Sequence, residues 1–309
     1  MLRPEVRYAR TDDVVAIAYS AAGAGPVTIV VVSPLISQLE LAWEEPALEH
    51  FWSRFAACAR VVLFDRRGAG LSDRSPAGER LGLAALASDI EAVLNACDAG
   101  QAVLLGRGDS GDTAPYSAGR EIDDIAALIR QAGGSASVFG HSSGATLALK
   151  AAAAGLPITH LVLYEPPFNT DANYPALPEG FAEELAGLVS AGRRGDAVEL
   201  YQTQAVGIPR EVVAQMRHAP FRPALEAIAH TLAYDAAIIG DRSLPAGLLA
   251  AVTVPALVIT GDQSPPFLRD AARAAAAALP QGRLAILPGQ SHDLNADATA
   301  PVMAGFLAS

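Results

Sequence analysis

The chain of 309 residues has little cysteine, no excess of basic side chains and no long uninterrupted apolar run. Its two cysteines, Cys58 and Cys97, belong to no CxxC pair, so the sequence predicts neither a disulfide framework nor a structural zinc site. The formal net charge of −11 argues against nucleic acid and against anionic membrane surfaces as partners. No stretch of about 20 apolar residues lacks polar interruption, so no membrane span is predicted.

The first residues also lack the apolar segment of a signal peptide, which predicts a cytoplasmic protein. Apolar side chains are abundant instead: 51% of the residues are hydrophobic and 18% are charged, as in an ordinary globular protein. A chain of this length buries a large core, and one domain with an inserted subdomain fits it. The sequence does not fix the oligomeric state and leaves a homodimer open.

Short β-branched segments alternate with alanine-rich helical segments along most of the chain. Such alternation predicts an α/β fold, with a mostly parallel twisted sheet and helices on both faces. The first two strands are joined too closely for a helix between them and should pair antiparallel. The predicted strands are 5–10, 14–19, 28–33, 61–65, 102–106, 137–140, 160–165, 256–260 and 283–287, and the clearest helices between them are 83–96, 119–132 and 145–154.

Residues 169–251 interrupt the alternation, because they have helical character and several prolines but no convincing strand. An all-helical segment between two strands of an α/β sheet is how a lid is inserted. We therefore predict a helical lid or cap at 169–251, and a core domain made of residues 1–168 and 252–309. The helices expected in the lid are 183–190, 196–205 and 223–234.

A glycine-rich loop occurs twice, as Gly-Ala-Gly-Leu-Ser at 68–72 and as Gly-Arg-Gly-Asp-Ser at 106–110. Each copy precedes an amphipathic helix with an Asp-Ile pair, and then a strand that ends in glycine. Residues 66–140 therefore contain either a partial internal repeat of one loop–helix–strand unit or two ordinary βα units that resemble each other. A true duplication would add one strand to the sheet near 102–106.

Residues 140–144, Gly-His-Ser-Ser-Gly, lie between a predicted strand and an alanine-rich helix. In that context Gly-x-Ser-x-Gly forms a strained strand-to-helix turn that lifts the serine hydroxyl above the sheet. The helix N-terminus beneath it adds positive potential where an oxyanion would form. Ser142 is therefore the predicted nucleophile, and a merely tight turn is the alternative.

One of the six histidines, His292, follows the last predicted strand on a glycine-bearing loop. Loops at the carboxyl ends of parallel strands meet at one rim of the sheet, which is also where Ser142 is expected. We therefore predict His292 as the general base. His141 lies inside the serine turn, and we expect its side chain to be structural.

Together with Asp-Arg-Arg-Gly-Ala-Gly-Leu-Ser at 65–72, these motifs make the chain resemble the α/β-hydrolase superfamily over essentially its whole length. Residues 37–43 and the Asp-Arg-Arg-Gly run at 65–68 are similar to uncharacterised bacterial hydrolase modules found beside signalling domains. The second half is similar to a different uncharacterised subgroup, which agrees with a fusion at the repeat. The resemblance implies that the Asp-Arg-Arg-Gly run braces the region near Ser142, and that no metal or organic cofactor is needed.

The sequence departs from the superfamily pattern at two places. Relatives usually carry His-Gly after the third strand, whereas residues 33–36 are Ser-Pro-Leu-Ile. Because proline has no N–H, the resemblance leaves Leu35 as the oxyanion donor, paired with Ser143. The usual acid lies three residues after the glycine that ends the penultimate strand, here Gly261. That residue is Ser264, which cannot hold an imidazolium by charge.

Two carboxylates are candidates for the missing acid. Glu165 ends the preceding strand and is followed by two prolines, as the acid is in some lipases of the superfamily, and it is favoured. Asp262 lies on the expected loop and is the alternative, although it could instead cap the helix that begins near Pro265. With neither acid, Ser142 and His292 would act as a dyad.

The sequence therefore favours hydrolysis of a small, mostly apolar ester, thioester or lactone through an acyl-enzyme. The partner is then a small-molecule substrate, with the lid supplying its pocket. One alternative keeps the fold but is a lyase, cyclase or acyltransferase. Another is a non-catalytic ligand-binding module. Substrate identity does not follow from the sequence.

Overall fold

The computed structural model describes residues 3–25, 27–32, 39–65, 70–73, 83–97, 102–106, 116–131, 134–170 and 176–309. The strands are β1 (Arg7–Arg10), β2 (Ala16–Ala22), β3 (Thr28–Val32), β4 (Arg60–Phe64), β5 (Ala102–Gly106), β6 (Ala136–His141), β7 (Ile158–Tyr164), β8 (Ala256–Gly261) and β9 (Gly282–Leu287). The helices are α1 (Leu39–Glu44), α2 (Pro46–Ala56), α3 (Leu83–Ala96), α4 (Ala118–Gln131), α5 (Ser143–Ala153), α6 (Phe181–Ser190), α7 (Arg194–Gln204), α8 (Arg210–Met216), α9 (Arg222–Ala227), α10 (Thr231–Ile239), α11 (Ala246–Ala251), α12 (Pro266–Ala278) and α13 (Ala296–Leu307).

The nine strands form one sheet in the order β1-β2-β4-β3-β5-β6-β7-β8-β9. β2 pairs antiparallel with both β1 and β4, and the other neighbouring pairs are parallel. The predicted α/β architecture is therefore confirmed, as is the antiparallel pairing of the first two strands. Central strands such as β8 are buried along their whole length, which explains why they are continuously apolar in sequence.

Helices cover both faces of the sheet and build two buried clusters. One cluster packs α3, α4, α5, α11 and α12 against one face, and the other packs α1, α2 and α13 against the opposite face. Neighbouring residues of a strand contribute to different clusters, as Val162 and Leu163 of β7 do. Each fully buried aliphatic side chain of this kind stabilises the fold by about 1.5–3 kcal/mol.

β5 lies between β3 and β6 and pairs in parallel with both. Its place corresponds to the strand that a duplication at 66–140 would add, although the duplication itself stays a prediction. The insertion separates β3 from β6 by two strand spacings, which is about 10 Å. The carboxyl end of β3 is therefore not adjacent to the strand that leads into Ser142.

Asp65 and Ser72, from the Asp-Arg-Arg-Gly run, are buried and hold the loops beside β4. The Asp65 carboxylate accepts hydrogen bonds from the backbone N–H groups of Leu39 and Leu71, each at 2.9 Å, and Ser72 Oγ donates to the Asp65 carbonyl at 2.6 Å. Because β3 and β5 lie between β4 and β6, these bonds brace the β2–β4 side of the sheet. The resemblance had implied bracing near Ser142 instead.

Six helices, α6 to α11, lie between β7 and β8 in the described residues. The predicted helix at 223–234 is wrong in one respect, because α9 ends at Ala227 and α10 begins at Thr231. Helices α6, α7 and α10 share a small buried cluster of their own. The use of this segment as a lid, and the domain boundaries at 168 and 252, stay predictions. None of the described helices has both the length and the apolarity needed to cross a bilayer.

Candidate active site

Ser142 stands on a sharp turn between β6 and α5. Its backbone has φ 57° and ψ −123°, a conformation that residues other than glycine rarely adopt. The Ser142 N–H still donates to the Tyr164 carbonyl at 2.9 Å, so the β6–β7 ladder continues up to the turn. Glycine is required at position 140, since a Cβ there would lie 2.2 Å from the Gly144 carbonyl oxygen. The strained turn predicted from the motif is therefore present.

Ser143 is the first residue of α5, and its N–H belongs to the first helical turn, whose donors lack intrahelical acceptors. The helix dipole places partial positive charge at the same point. The Ser143 hydroxyl donates to Oδ1 of Asp235 on α10 at 2.7 Å. The residue expected to bind an oxyanion through its amide is thus tied through its side chain to the helical segment.

Leu35, the second expected oxyanion donor, lies outside the described residues. Its role as an oxyanion donor therefore stays a prediction.

His292 and Glu165 are hydrogen-bonded to each other. The distance from His292 Nδ1 to Glu165 Oε2 is 2.6 Å. The Glu165 side chain is fully buried, whereas the His292 side chain is 39% exposed. Because Nδ1 faces the carboxylate, Nε2 is the ring nitrogen left for proton exchange with a hydroxyl. The structure therefore brings His292 together with the carboxylate favoured as the acid.

The second oxygen of Glu165 is also fully engaged. Glu165 Oε1 accepts hydrogen bonds from the Thr260 hydroxyl at 2.8 Å, from the Gly261 N–H at 2.9 Å and from the Ser264 hydroxyl. Burial by itself raises the pKa of this carboxyl. The hydrogen bonds from His292, Ser264, Gly261 and Thr260 outweigh burial and hold the pKa of Glu165 below its ordinary value.

Glu165 has an uncommon backbone conformation for a non-glycine residue, with φ 46°. It follows β7 directly, and its N–H donates to the Ile259 carbonyl of β8 at 3.0 Å. Such conformations cost about 1–3 kcal/mol and cluster at functional sites. Ser142 and Glu165 therefore carry strain at the ends of two neighbouring strands, β6 and β7.

Asp262, the alternative acid, does not contact the His292 ring through a described hydrogen bond. It contacts the loop that carries His292, residues 288–293, which is called the histidine loop below. Its Oδ1 accepts the Gly289 N–H at 2.7 Å. The suggestion that Asp262 caps the next helix is wrong, because α12 begins at Pro266 after Pro265 and has no side-chain cap. Asp262 therefore supports the first part of the loop, whereas the carboxylate that accepts the hydrogen bond from the His292 ring is Glu165.

Two residues that the sequence did not identify as part of the site contact the loop around His292. Nε2 of His141 donates to the His292 carbonyl at 2.9 Å, and the Tyr164 hydroxyl donates to the Ser291 carbonyl at 3.0 Å. His141 was expected to be structural, and its place beside Ser142 was the available indication of a role. Tyr164 could not be distinguished in sequence from an ordinary buried residue of a strand.

The described ranges contain no group of three or more His, Cys, Asp or Glu side chains placed to hold a metal ion.

The chain matches known proteins along most of its length. Residues 40–304 match the model of the alpha/beta hydrolase family. An alpha/beta hydrolase from Sphaerobacter thermophilus is 36% identical, with 97% of this chain and 100% of that chain covered and a TM-score of 0.65. A hydrolase from Oleispira antarctica shares the fold at 16% identity, with 94% of each chain covered and a TM-score of 0.51. A search of curated proteins found no match. The chain belongs to the alpha/beta hydrolase family.

Proposed function

We propose that the protein is a serine hydrolase that cleaves a small, mostly apolar ester, thioester or lactone through an acyl-enzyme. The observation that carries the proposal is the 2.6 Å hydrogen bond between His292 and the buried Glu165. A carboxylate in that place fixes the tautomer of the ring and stabilises the imidazolium that forms when the ring takes a proton.

In the proposed reaction Ser142 Oγ attacks the carbonyl carbon while Nε2 of His292 takes the serine proton. Negative charge develops on the carbonyl oxygen, and the N–H groups of Ser143 and Leu35 are the proposed donors that stabilise it. The tetrahedral intermediate then expels the alcohol or thiol, which receives the proton from His292. Water, activated by the same ring, hydrolyses the acyl group from Ser142.

The electrostatics of Glu165 support this sequence of proton transfers. Its lowered pKa keeps the carboxyl ionised while His292 gains and loses its proton. Glu165 therefore acts by charge and orientation, and it does not take up the proton itself. The partial exposure of His292 supports access of substrate and water to the ring.

The proposed pocket for the small-molecule substrate lies under the helical segment 169–251. The hydrogen bond from Ser143 to Asp235 of α10 supports this location, because it brings that segment against the first turn of α5. The Lys150 ammonium of α5 adds a second link, to the Ile238 carbonyl at 2.5 Å.

The test is hydrolysis of p-nitrophenyl acetate and butyrate by the wild type and by Ser142→Ala. The variant should lose turnover and keep its unfolding temperature. Ser137→Ala is the matched control, because Ser137 lies on the same strand and its hydroxyl contacts Thr159 Oγ1 at 2.9 Å, away from the site. Turnover that survives in Ser142→Ala, or a wild type inactive on both esters, would contradict the proposal.

A further inference from the structure

We propose that His141 and Tyr164 are positioning residues for the reaction. They bind the backbone of residues 291–293 and thereby fix the direction in which the His292 ring points. The inference rests on the proposed roles of Ser142 and His292. It extends them to two side chains that reach the reacting groups only through the histidine loop.

His141 contacts both the main chain and the ring of His292. It is the last residue of β6 and directly precedes Ser142. Its Nε2 donates to the His292 carbonyl at 2.9 Å, which requires Nε2 to carry the ring proton. The centroids of the two imidazoles are 4.7 Å apart, with their planes inclined by 34°. A shift of β6 that moves Ser142 is therefore transmitted to His292 through this contact.

Tyr164 holds the residues on either side of His292. It is fully buried at the end of β7, and it pairs with His141 in the β6–β7 register. Its hydroxyl donates to the Ser291 carbonyl at 3.0 Å and reaches the Asp293 carbonyl at 3.5 Å. Its ring also contacts the His141 ring edge-on, at 5.3 Å between centroids. Carbonyls of three consecutive loop residues thus accept from two adjacent side chains.

The Tyr164 hydroxyl is well suited to act as a permanent donor. Burial, reinforced by the neighbouring carboxylates of Glu165 and Asp293, raises its pKa to about 12. The hydroxyl therefore keeps its proton at neutral pH and acts there as a donor. Tyr164 and Glu165 are consecutive, so the end of β7 holds the main chain of the histidine loop with one residue and the ring with the next.

The two halves of the histidine loop are anchored from different strands. Asp262 accepts the Gly289 N–H at 2.7 Å, and the Gln263 N–H donates to the Gln290 carbonyl at 2.9 Å. These bonds come from the end of β8 and hold the part of the loop before His292. His141 and Tyr164, from β6 and β7, hold the part that carries the ring. A misplacement of about 1 Å at a reacting group costs on the order of 100-fold in rate, so this second anchor bears on kcat.

The test compares His141→Leu, His141→Gln and Tyr164→Phe for kcat and KM on p-nitrophenyl butyrate, and for the rate at which a fluorophosphonate labels Ser142. His141→Leu should lower kcat and the labelling rate by roughly 10- to 100-fold with KM little changed. His141→Gln retains an N–H donor and should recover most of the loss. Tyr164→Phe should lower kcat as well, by less.

Two matched controls remove similar groups at a distance from the site. His160→Gln changes a histidine near the start of β7 that packs on Phe306, and Tyr19→Phe removes a partly buried hydroxyl that donates to the Ala96 carbonyl at 3.4 Å. Both should keep wild-type kcat.

Normal kcat in a folded His141→Leu or Tyr164→Phe variant would overturn the proposal. Equal losses in His141→Leu and His141→Gln would overturn the donor role of His141. Should His141→Leu fail to fold, Tyr164→Phe decides, since it removes the hydroxyl donor and changes the side-chain volume little. A wild type that fluorophosphonate does not label would instead count against the proposed function.

Discussion

Ser264 donates a hydrogen bond to Oε1 of Glu165, the carboxylate whose other oxygen binds the ring of His292. Ser264 occupies the position, three residues after Gly261, where the superfamily usually carries its acid. In the proposed triad the acid therefore stands at the end of β7 instead of after β8, and Ser264, at the usual acid position, donates its hydroxyl to that carboxylate. The place of the histidine after β9 is unchanged.

Glu165→Gln should cost far more activity than Asp262→Asn. Loss of the charge beside a catalytic histidine costs about four orders of magnitude in kcat in a well-studied protease. Asn at position 262 keeps an oxygen that accepts the Gly289 N–H, so that change should have little effect. The measurement is kcat on p-nitrophenyl butyrate for both variants. Equal losses, or a larger loss in Asp262→Asn, would argue against Glu165 as the acid.

A carboxylate at position 264 should partly replace the one at position 165. Glu165→Ala should be nearly inactive, and Ser264→Asp in that background should regain part of the lost kcat, because the new carboxylate enters the space that Glu165 leaves. Ser264→Asp alone should lower activity, since two adjacent carboxylates disfavour each other's ionisation. A double variant no more active than Glu165→Ala would show that position 264 cannot reach His292.

The buried carboxylate of Glu165 should make the stability of the fold depend on pH. Its pKa in the folded protein lies below the ordinary value of 4.5. Its contribution is therefore complete above 4.5 and is lost as the pH falls through the lower folded pKa. Urea unfolding from neutral pH down to below that range should show a smaller pH-dependent loss for Glu165→Gln than for the wild type. Parallel curves for the two proteins would contradict the prediction.

The hydrogen bond between Ser143 and Asp235 should hold α10 against α5. Limited proteolysis should cut within 169–251 before it cuts the sheet, because segments that open locally are cleaved first. Asp235→Leu should speed those cuts roughly five-fold, which corresponds to a hydrogen bond of about 1 kcal/mol. Asp235→Asn keeps the acceptor and serves as the control. First cuts in the sheet, or equal rates for the two variants, would contradict the prediction.

The strands and the strained turn at Ser142 could be predicted because their patterns are local. β5, for example, is an apolar run whose bounds at 102–106 match the prediction. Its place between β3 and β6 was not predictable, since the pairing of parallel strands depends on contacts distant in sequence. Glu165 could be favoured because position 264 lacks a carboxylate.

The contacts that the helical segment makes could not be predicted from the sequence. The break between α9 and α10 spans residues 228–230 and contains no glycine or proline, so periodicity alone predicted one helix. Asp235 lies in α10, and its contact with Ser143 joins residues 92 positions apart. No local sequence pattern predicts such a contact, because tertiary packing determines it.

In the proposed mechanism Ser142 is a nucleophile activated by His292 and Glu165, and a fluorophosphonate should therefore modify it. Intact-protein mass spectrometry after treatment with the fluorophosphonate measures this reaction. The wild type should gain one adduct that peptide mapping places on Ser142, Ser142→Ala should gain none, and Glu165→Gln should react much more slowly. An unmodified wild type, or an adduct that persists in Ser142→Ala, would contradict the mechanism.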